Sequence, residues 1–101
     1  MKTIKSKDNI TYKSAVKLLK KKYRDETGLY LLEGVKPLED ALAMGIGVKT
    51  IFLCESVQKP EGFPEGICMM LDKKLFANLS DTGTSQGVIA VAEKKKYSFD
   101  E

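Results

Sequence analysis

The sequence predicts an α/β layered domain with a largely parallel or mixed sheet, and three observations support this. Short runs rich in Val, Ile, Leu and Phe alternate with short helical patterns along the 101 residues. Glycine and polar turn residues separate these runs. The length fits one domain with a core of its own. Because no apolar run approaches the roughly 18 residues that cross a bilayer, the sequence excludes a membrane protein.

The first helix is predicted over residues 9–24, after a basic and flexible arm at 1–8 that lacks the apolar stretch of a secretory signal. Asp8 or Asn9 is expected to cap this helix, and Gly28 to end the segment. One face of the predicted helix is an apolar stripe at positions i, i+4, i+7 and i+11. The stripe consists of Tyr12, Val16, Leu19 and Tyr23.

Four strands are predicted after this helix, at 29–32, 49–54, 67–71 and 87–92. A second helix is expected to open at Gly34 and to end at Gly45 or Gly47. A third, short helix at 73–79 is expected to be capped by Asp72. Loops are predicted at 55–66 and 80–86, and the charged residues 93–101 are interpreted as a linker.

Charge is unevenly distributed along the chain. Residues 1–24 hold nine Lys or Arg against Asp8 alone, a net charge of +8, whereas the remaining eight cations and thirteen acids give −5. A cationic stripe at helical spacing lies beside the apolar one, and like charges four residues apart destabilise a helix. A polyanionic partner explains this row better than stability does, and the alternative is a solvated face kept for solubility. The stripe consists of Lys13, Lys17, Lys20 and Arg24.

Two polar turns follow or precede predicted strands. Glu33-Gly34 lies where a strand meets a helix N-terminus, and the loop 80–86 is rich in Ser, Thr and Gln. A helix N-terminus and neutral hydrogen-bonding side chains both suit phosphates and sugar hydroxyls, although each turn alone is also an ordinary surface turn. We expect both turns at one end of the sheet, where α/β folds bind ligands.

Several kinds of chemistry are poorly served by this sequence. The chain has no histidine and no CxxC pair, so a zinc site and the usual general base lack their residues. Cys54 and Cys68 sit in apolar runs, as expected of reduced thiols in a cytoplasmic protein. Gly45-x-Gly47 lacks the third glycine of a dinucleotide fingerprint and follows a helix rather than a strand. We therefore predict no catalytic residue, no metal ligand and no cofactor within these residues.

The order and spacing of several motifs resemble the N-terminal substrate-binding domain of the SpoU/TrmH family of RNA 2′-O-ribose methyltransferases. The motifs are S-x-x-N at 6–9, a lysine at 13, K-K-Y-R at 21–24, L-L-E-G-V-K-P-L-E-D-A-L at 31–42 and L-S-D-T-G-T-S-Q-G-V-I-A-V at 79–91. The resemblance covers nearly the whole chain. It implies a three-layer α/β/α sandwich with a mixed four-stranded sheet, like the ribosomal-protein fold that binds kink-turn RNA.

The same resemblance implies a division of labour. Residues 9–92 would capture RNA, ribosomal RNA in particular, and 93–101 would begin a linker to a knotted methyltransferase domain. That domain would hold S-adenosyl-L-methionine (AdoMet) and form a homodimer, so the 101 residues alone are not expected to be catalytic. The expected RNA-binding residues are Asn9, Lys13, Lys17, Lys20, Lys21, Arg24, Glu33, Gly34, Lys36, Thr82, Thr84, Gln86 and Gly87.

Two other functions stay open at the level of the sequence. One is a stand-alone, ribosome-associated RNA-binding protein of the same fold. The other is a protein-interaction module whose basic helix meets an acidic partner. Salt-dependent RNA binding would be expected of a methyltransferase's RNA-capturing domain and of a stand-alone RNA-binding protein, because phosphate contacts release counterions. It would not be expected of the protein-interaction module.

Overall fold

Five strands and four α-helices are found in the residues that the computed structural model describes, which are 1–59, 61–80 and 87–94. The strands are β1 (Lys2–Ile4), β2 (Leu29–Glu33), β3 (Val48–Cys54), β4 (Cys68–Leu71) and β5 (Val88–Glu93). The helices are α1 (Ile10–Lys17), α2 (Lys21–Thr27), α3 (Val35–Ala43) and α4 (Lys73–Leu79). A short 3₁₀ turn, Glu65–Ile67, precedes β4.

The sheet is mixed, with the strand order β1-β4-β3-β5-β2. β4 pairs in parallel with both β1 and β3, whereas β5 runs antiparallel to its two neighbours, β3 and β2. The strands β1 to β4 therefore point the same way and finish at one end of the sheet, which we call the carboxyl end. β5 begins there, since Val88 pairs with Leu53 and Ile89 with Glu33. The opposite end is called the amino end.

The prediction of four strands is wrong by one. Residues assigned to a flexible arm form β1, which pairs Ile4 with Leu71 at the outer edge of the sheet. The side chain of Ile4 is buried at 2% exposure and anchors the strand. Three residues with one apolar side chain are too few to give a period-two pattern, so the sequence carried no strand signal here.

Helices cover both faces of the sheet, and the predicted three-layer α/β/α class is confirmed. One core lies between the sheet and α1, α2 and α4, and the other lies between the sheet and α3. Strand β3 supplies both cores, because successive side chains point to opposite faces. Phe52 and Cys54 belong to the first core, and Ile51 and Leu53 belong to the second. All four are 8% exposed or less, as expected for a central strand between two helical layers.

The prediction of one continuous helix over 9–24 is also wrong. The amides of Leu18, Leu19 and Lys20 bond to carbonyls three residues back, and Lys20 is extended at φ −101° and ψ 133°. No Gly or Pro marks the break, which arises from tertiary packing. Leu18 turns into the core at 3% exposure, and Arg24 Nη1 donates to the Leu18 carbonyl at 2.9 Å. The break also interrupts the row of like charges that would oppose a continuous helix.

The other helix boundaries follow the sequence closely. Gly28 ends α2 in the left-handed conformation, with φ of +71°, and Gly34 precedes α3 with φ of +105°. Asn9 Oδ1 accepts from the amide of Tyr12 at 3.1 Å, and Asp72 Oδ1 accepts from that of Leu75 at 2.7 Å. The predicted caps of the first and last helices are therefore confirmed.

Candidate nucleic-acid interface

The carboxyl end of the sheet places Glu33-Gly34 close to Gly87, the described residue that follows the 80–86 loop. The Gly34 amide donates to the carbonyl of Val88 at 2.9 Å, and the Cys54 amide donates to that of Gly87, also at 2.9 Å. Gly34 and Gly87 thus lie on neighbouring strands at this end. Three residues of the candidate set, Thr82, Thr84 and Gln86, lie outside the described residues.

A side-chain hydrogen bond joins the start of the 80–86 loop to the end of β2. Ser80 Oγ donates to Glu33 Oε2 at 3.0 Å, and both residues are half-buried. The partners are 47 positions apart in the chain, so no local pattern could have predicted the bond. Glu33 therefore has a structural role at the carboxyl end, since it fixes the residue from which the polar loop departs.

Gly87 is required by packing. It is buried with φ of +81°, a conformation that L side chains rarely adopt. A Cβ at this position would collide with the side chain of Val57 and meet Cys54 Cβ at 3.5 Å. Its place among the predicted RNA-binding residues stays a prediction, and the geometry supplies a structural reason for glycine.

Lys36 points its charge at an acid one helical turn away. Its Nζ lies 2.9 Å from Asp40 Oδ1, and both side chains are more than half exposed. This hydrogen bond raises the pKa of Lys36 above its ordinary value. An exposed pair of this kind is weak, so Lys36 can exchange Asp40 for a phosphate at little cost.

The cations of the first two helices differ in how far they are already engaged. Arg24 is half-buried and caps the carbonyl of Leu18. Lys21 lies 2.6 Å from Asp25 Oδ2, and this contact lowers the pKa of the Asp25 carboxyl. Lys17 and Lys22 both sit 5.6 Å from the ring centroid of Tyr23, within cation–π range.

Three predicted lysines remain available to an external anion. Lys13, Lys17 and Lys20 are exposed, and none of them forms an ion pair with any acid in the described ranges. Lys13 and Lys17 project from α1, and Lys20 lies at the start of α2. We call these three residues the lysine ridge. They form a cationic surface on the helical layer, separate from the turns at the carboxyl end.

α1, which carries Lys13 and Lys17, is anchored to the core through buried Tyr12 and Ala15. Tyr12 Oη donates to the carbonyl of Leu75 at 2.7 Å across the α1–α4 contact. Burial raises the pKa of this phenol above its ordinary value. Asn9 serves as the N-cap of α1, a structural role for another residue of the candidate set.

The cysteine and acidic side chains of the described residues lie apart from the lysine ridge. Cys54 and Cys68 are free and buried, and burial raises the pKa of the Cys68 thiol. Acidic and sulfur side chains nowhere gather there into a group of three suited to a metal ion. No helix within the described ranges is long and apolar enough to cross a membrane.

Comparison with known proteins identifies relatives of this chain. The family described as the MRM3-like substrate-binding domain matches residues 9–90. The 23S rRNA (guanosine(2553)-2′-O)-methyltransferase RlmP of Bacillus subtilis is 36% identical over 92 residues, which are 90% of this chain and 37% of RlmP. The chain thus spans less than half the length of this relative.

Solved structures share the fold. The crystal structure of an RNA 2′-O-ribose methyltransferase superposes with a TM-score of 0.79 at 25% identity, over 98% of this chain and 40% of that one. An AdoMet-bound rRNA methyltransferase from Sinorhizobium meliloti gives a TM-score of 0.74 at 24% identity, over 95% and 38% of the two chains. The predicted resemblance to the substrate-binding domain of RNA 2′-O-ribose methyltransferases is confirmed by the family match and by RlmP, and the solved structures confirm the fold.

Proposed function

Because the chain belongs to the family of MRM3-like substrate-binding domains, we propose that it captures the RNA substrate of a 2′-O-ribose methyltransferase. The substrate would be ribosomal RNA, as the name of RlmP states for that relative. AdoMet and the methyl transfer would belong to a further domain of the parent protein, which would act as a homodimer. The chain's 37% share of RlmP leaves room for such a domain.

The observation that carries this proposal is the lysine ridge. Its three lysines are exposed, and none forms an ion pair with an acidic residue in the part of the chain that the structure describes. This is so although six acidic residues lie among the first 40 positions. Unneutralised cations attract a phosphate backbone and gain free energy through counterion release. The turns at the carboxyl end would then supply contacts to sugar and phosphate oxygens.

In the proposed parent protein, the two ends of the sheet have different roles. β5 ends at Glu93 on the amino end, where the Glu93 amide donates to the Gly47 carbonyl at 2.8 Å. A linker at 93–101 would leave from this end, opposite Gly34 and Gly87. The domain boundaries at 9–92 and 93–101 remain predictions. In this arrangement the methyltransferase domain would not cover the turns at the carboxyl end.

A salt titration of RNA affinity tests the proposal. Fluorescence anisotropy with a labelled ribosomal RNA hairpin would be followed from low to physiological salt. Replacing Lys13 and Lys17 by Gln should weaken binding and reduce the log–log salt slope by roughly 0.7 to 0.9 for each phosphate that is no longer neutralised. Folding should be unchanged, because both side chains are exposed.

A matched control removes the same charge elsewhere. Lys73 and Lys74 on α4 are exposed and, like the ridge, have no ion pair with a described acid. Their replacement by Gln should leave most of the slope intact. Equal weakening by both double variants would mean that net charge alone drives binding. Absence of salt-dependent RNA binding, together with tight binding to an acidic protein, would reject RNA capture.

A further inference from the structure

An open groove runs between α1 and the sheet, beside the lysine ridge. It holds about 240 Å³ and lies over the part of the sheet where β2, β3 and β5 are adjacent. Its walls are mostly apolar, with Leu18 and Val91 at the base and half-buried Leu29 along one side. Ile10 stands at the rim with 81% of its surface exposed. Ile10 therefore extends the apolar lining of the groove into solvent, and contiguous apolar surface of this kind makes the groove a candidate binding site.

The size of the groove restricts what can occupy it. A volume of about 240 Å³ lies below the roughly 300 to 1,000 Å³ of pockets that enclose a whole small-molecule ligand. A single planar ring fits this limit, with the rest of its molecule lying outside.

The polar groups at the groove favour a nucleobase as that ring. Thr11, Ser14 and Thr50 line the groove, and their hydroxyl groups can donate to or accept from the edge of a base. Apolar surface on the faces and hydrogen bonds at the edge are what an unstacked base requires. A purely aliphatic guest would leave these hydroxyls without partners.

The surrounding charge favours a ring that is attached to phosphates. Lys13 follows Ile10 by three positions on α1, and Lys17 follows Ser14 by three, so both lysines neighbour the rim. Lys49 also lines the groove, but its Nζ is 3.1 Å from Glu93 Oε1 and is therefore already paired. Phosphates that flank a bound base would meet Lys13 and Lys17 at the rim.

We propose that this groove accepts one unstacked nucleobase of the captured RNA, while Lys13 and Lys17 hold the adjoining phosphates. The inference rests on the proposed function and adds to it a base-binding subsite on the α1 side of the sheet. The hydroxyls of Thr11, Ser14 and Thr50 contact the edge of the base, and Ile10 covers one of its faces.

The test uses three RNA hairpins that differ at one position. The first hairpin carries a single-nucleotide bulge, the second carries an abasic residue in its place, and the third has no bulge. The wild-type chain should bind the bulged hairpin about five- to tenfold more tightly than the abasic one, near the lower bound for holding one base on a side chain. Ile10→Ser should remove this preference while leaving the salt slope unchanged, because no charge is altered.

Met44→Ala is the matched control, since Met44 is 70% exposed but caps the end of α3, which packs on the opposite face of the sheet from α1. It should retain the full preference for the bulged hairpin. Equal affinity for bulged and abasic hairpins, with salt-dependent binding intact, would overturn the base-binding groove and leave RNA capture standing. If the wild-type chain shows no salt-dependent binding to any of the three hairpins, both the base-binding groove and RNA capture are overturned. If Ile10→Ser instead changes the oligomeric state of the free chain, the groove is a protein interface and the proposal is rejected.

Discussion

At Gly87 the backbone conformation and the packing both require glycine. The φ angle of +81° disfavours any L side chain, and Val57 occupies the space that a Cβ would need. Gly62 has a similar φ of +89° but has no atom within 4 Å of its virtual Cβ. A side chain at position 87 would therefore meet both backbone strain and a steric collision, whereas one at position 62 would meet backbone strain alone.

Gly87→Ala should lower the free energy of unfolding by about 2 to 4 kcal/mol, the sum of left-handed strain and overpacking. Gly62→Ala should cost only about 1 to 2 kcal/mol, because strain acts there alone. Equilibrium urea unfolding would measure both values. Combining Gly87→Ala with Val57→Ala should recover part of the stability by removing the obstructing side chain. Equal destabilisation by the two single variants would show that Val57 does not exclude a side chain at 87.

Tyr12 gives the fold a dependence on alkaline pH. Burial raises the pKa of its phenol in the folded state, so folding favours the protonated form. The stabilisation from this residue is complete below the unfolded pKa of about 10 and decreases as pH rises through the folded pKa. Tyr12→Phe should cost about 0.5 to 1.5 kcal/mol at neutral pH, because the buried hydrogen bond from its hydroxyl to the Leu75 carbonyl is lost.

The same substitution should flatten the decline of stability above about pH 10. Thermal unfolding of the wild type and the Phe variant across this range would show it. Tyr30→Phe is the control, since Tyr30 is half-buried and lies outside the α1–α4 contact. Parallel decline in the wild type and the Tyr12 variant would mean that another group dominates the alkaline transition.

Among the elements, α1 and α2 show how a side chain can replace a helix's own hydrogen bonds. The carbonyl of Leu18 lies just past the end of α1, and the guanidinium of Arg24 returns from α2 to satisfy it at 2.9 Å. The sequence placed Arg24 in a row of four phosphate-binding cations. In the structure its guanidinium links the two short helices through this hydrogen bond, and its role in RNA binding stays a prediction.

Arg24→Met keeps the aliphatic stem but removes the donors, so it should lower the free energy of unfolding by about 1 kcal/mol. Lys22→Met removes one charge from the same helix without removing a hydrogen bond, and should change stability by less than about 0.5 kcal/mol. Chemical denaturation would compare the two. If the Arg24 variant is as stable as the Lys22 variant, the guanidinium does not stabilise the junction between the two helices.

Most element boundaries could be predicted because single residues mark them. Gly28, Gly34 and Asp72 each have a local reason to end or begin a helix, either a positive φ or a capping carboxylate. β1 and the break at 18–20 had no such mark. The strand depends on Ile4 reaching the core beside Leu71, and the break depends on Leu18 doing the same from α1. Both are decided by contacts between distant segments.

The candidate site was predictable to a similar degree. Charge counting located the lysine ridge, since exposed cations with helical spacing are visible in a sequence. Sequence alone could not separate Lys13 from Arg24, because only the fold shows which cation already has a partner. The groove beside Ile10 was also missed. Its walls come from α1, β2, β3 and β5, whose apolar residues individually resemble core residues.

At the scale of the whole molecule, the proposed division between RNA capture and chemistry leads to a prediction about the methyl donor. Relatives such as the AdoMet-bound enzyme of Sinorhizobium meliloti are more than twice as long as this chain. A second cleft, of about 380 Å³, lies at the amino end of the sheet, where Gly28, Gly45 and Glu93 line it. We expect neither this cleft nor the groove beside Ile10 to bind AdoMet. Methyl transfer to a ribose hydroxyl requires donor and acceptor held within bonding reach, which a rigid second domain would provide.

The 101 residues alone should therefore show no heat on titration with AdoMet and no transfer of a tritiated methyl group to ribosomal RNA. RNA binding should persist in the same preparation. That result would show that the chain is folded and able to bind RNA. Joining the chain to the proposed methyltransferase domain should restore AdoMet binding and methyl transfer together. In that joined protein, Lys13→Gln with Lys17→Gln should raise KM for RNA more than it lowers kcat, because the ridge would act in binding rather than in the chemical step. Micromolar AdoMet binding by the isolated chain, about −8 kcal/mol, would place the donor site within this domain and reject the division.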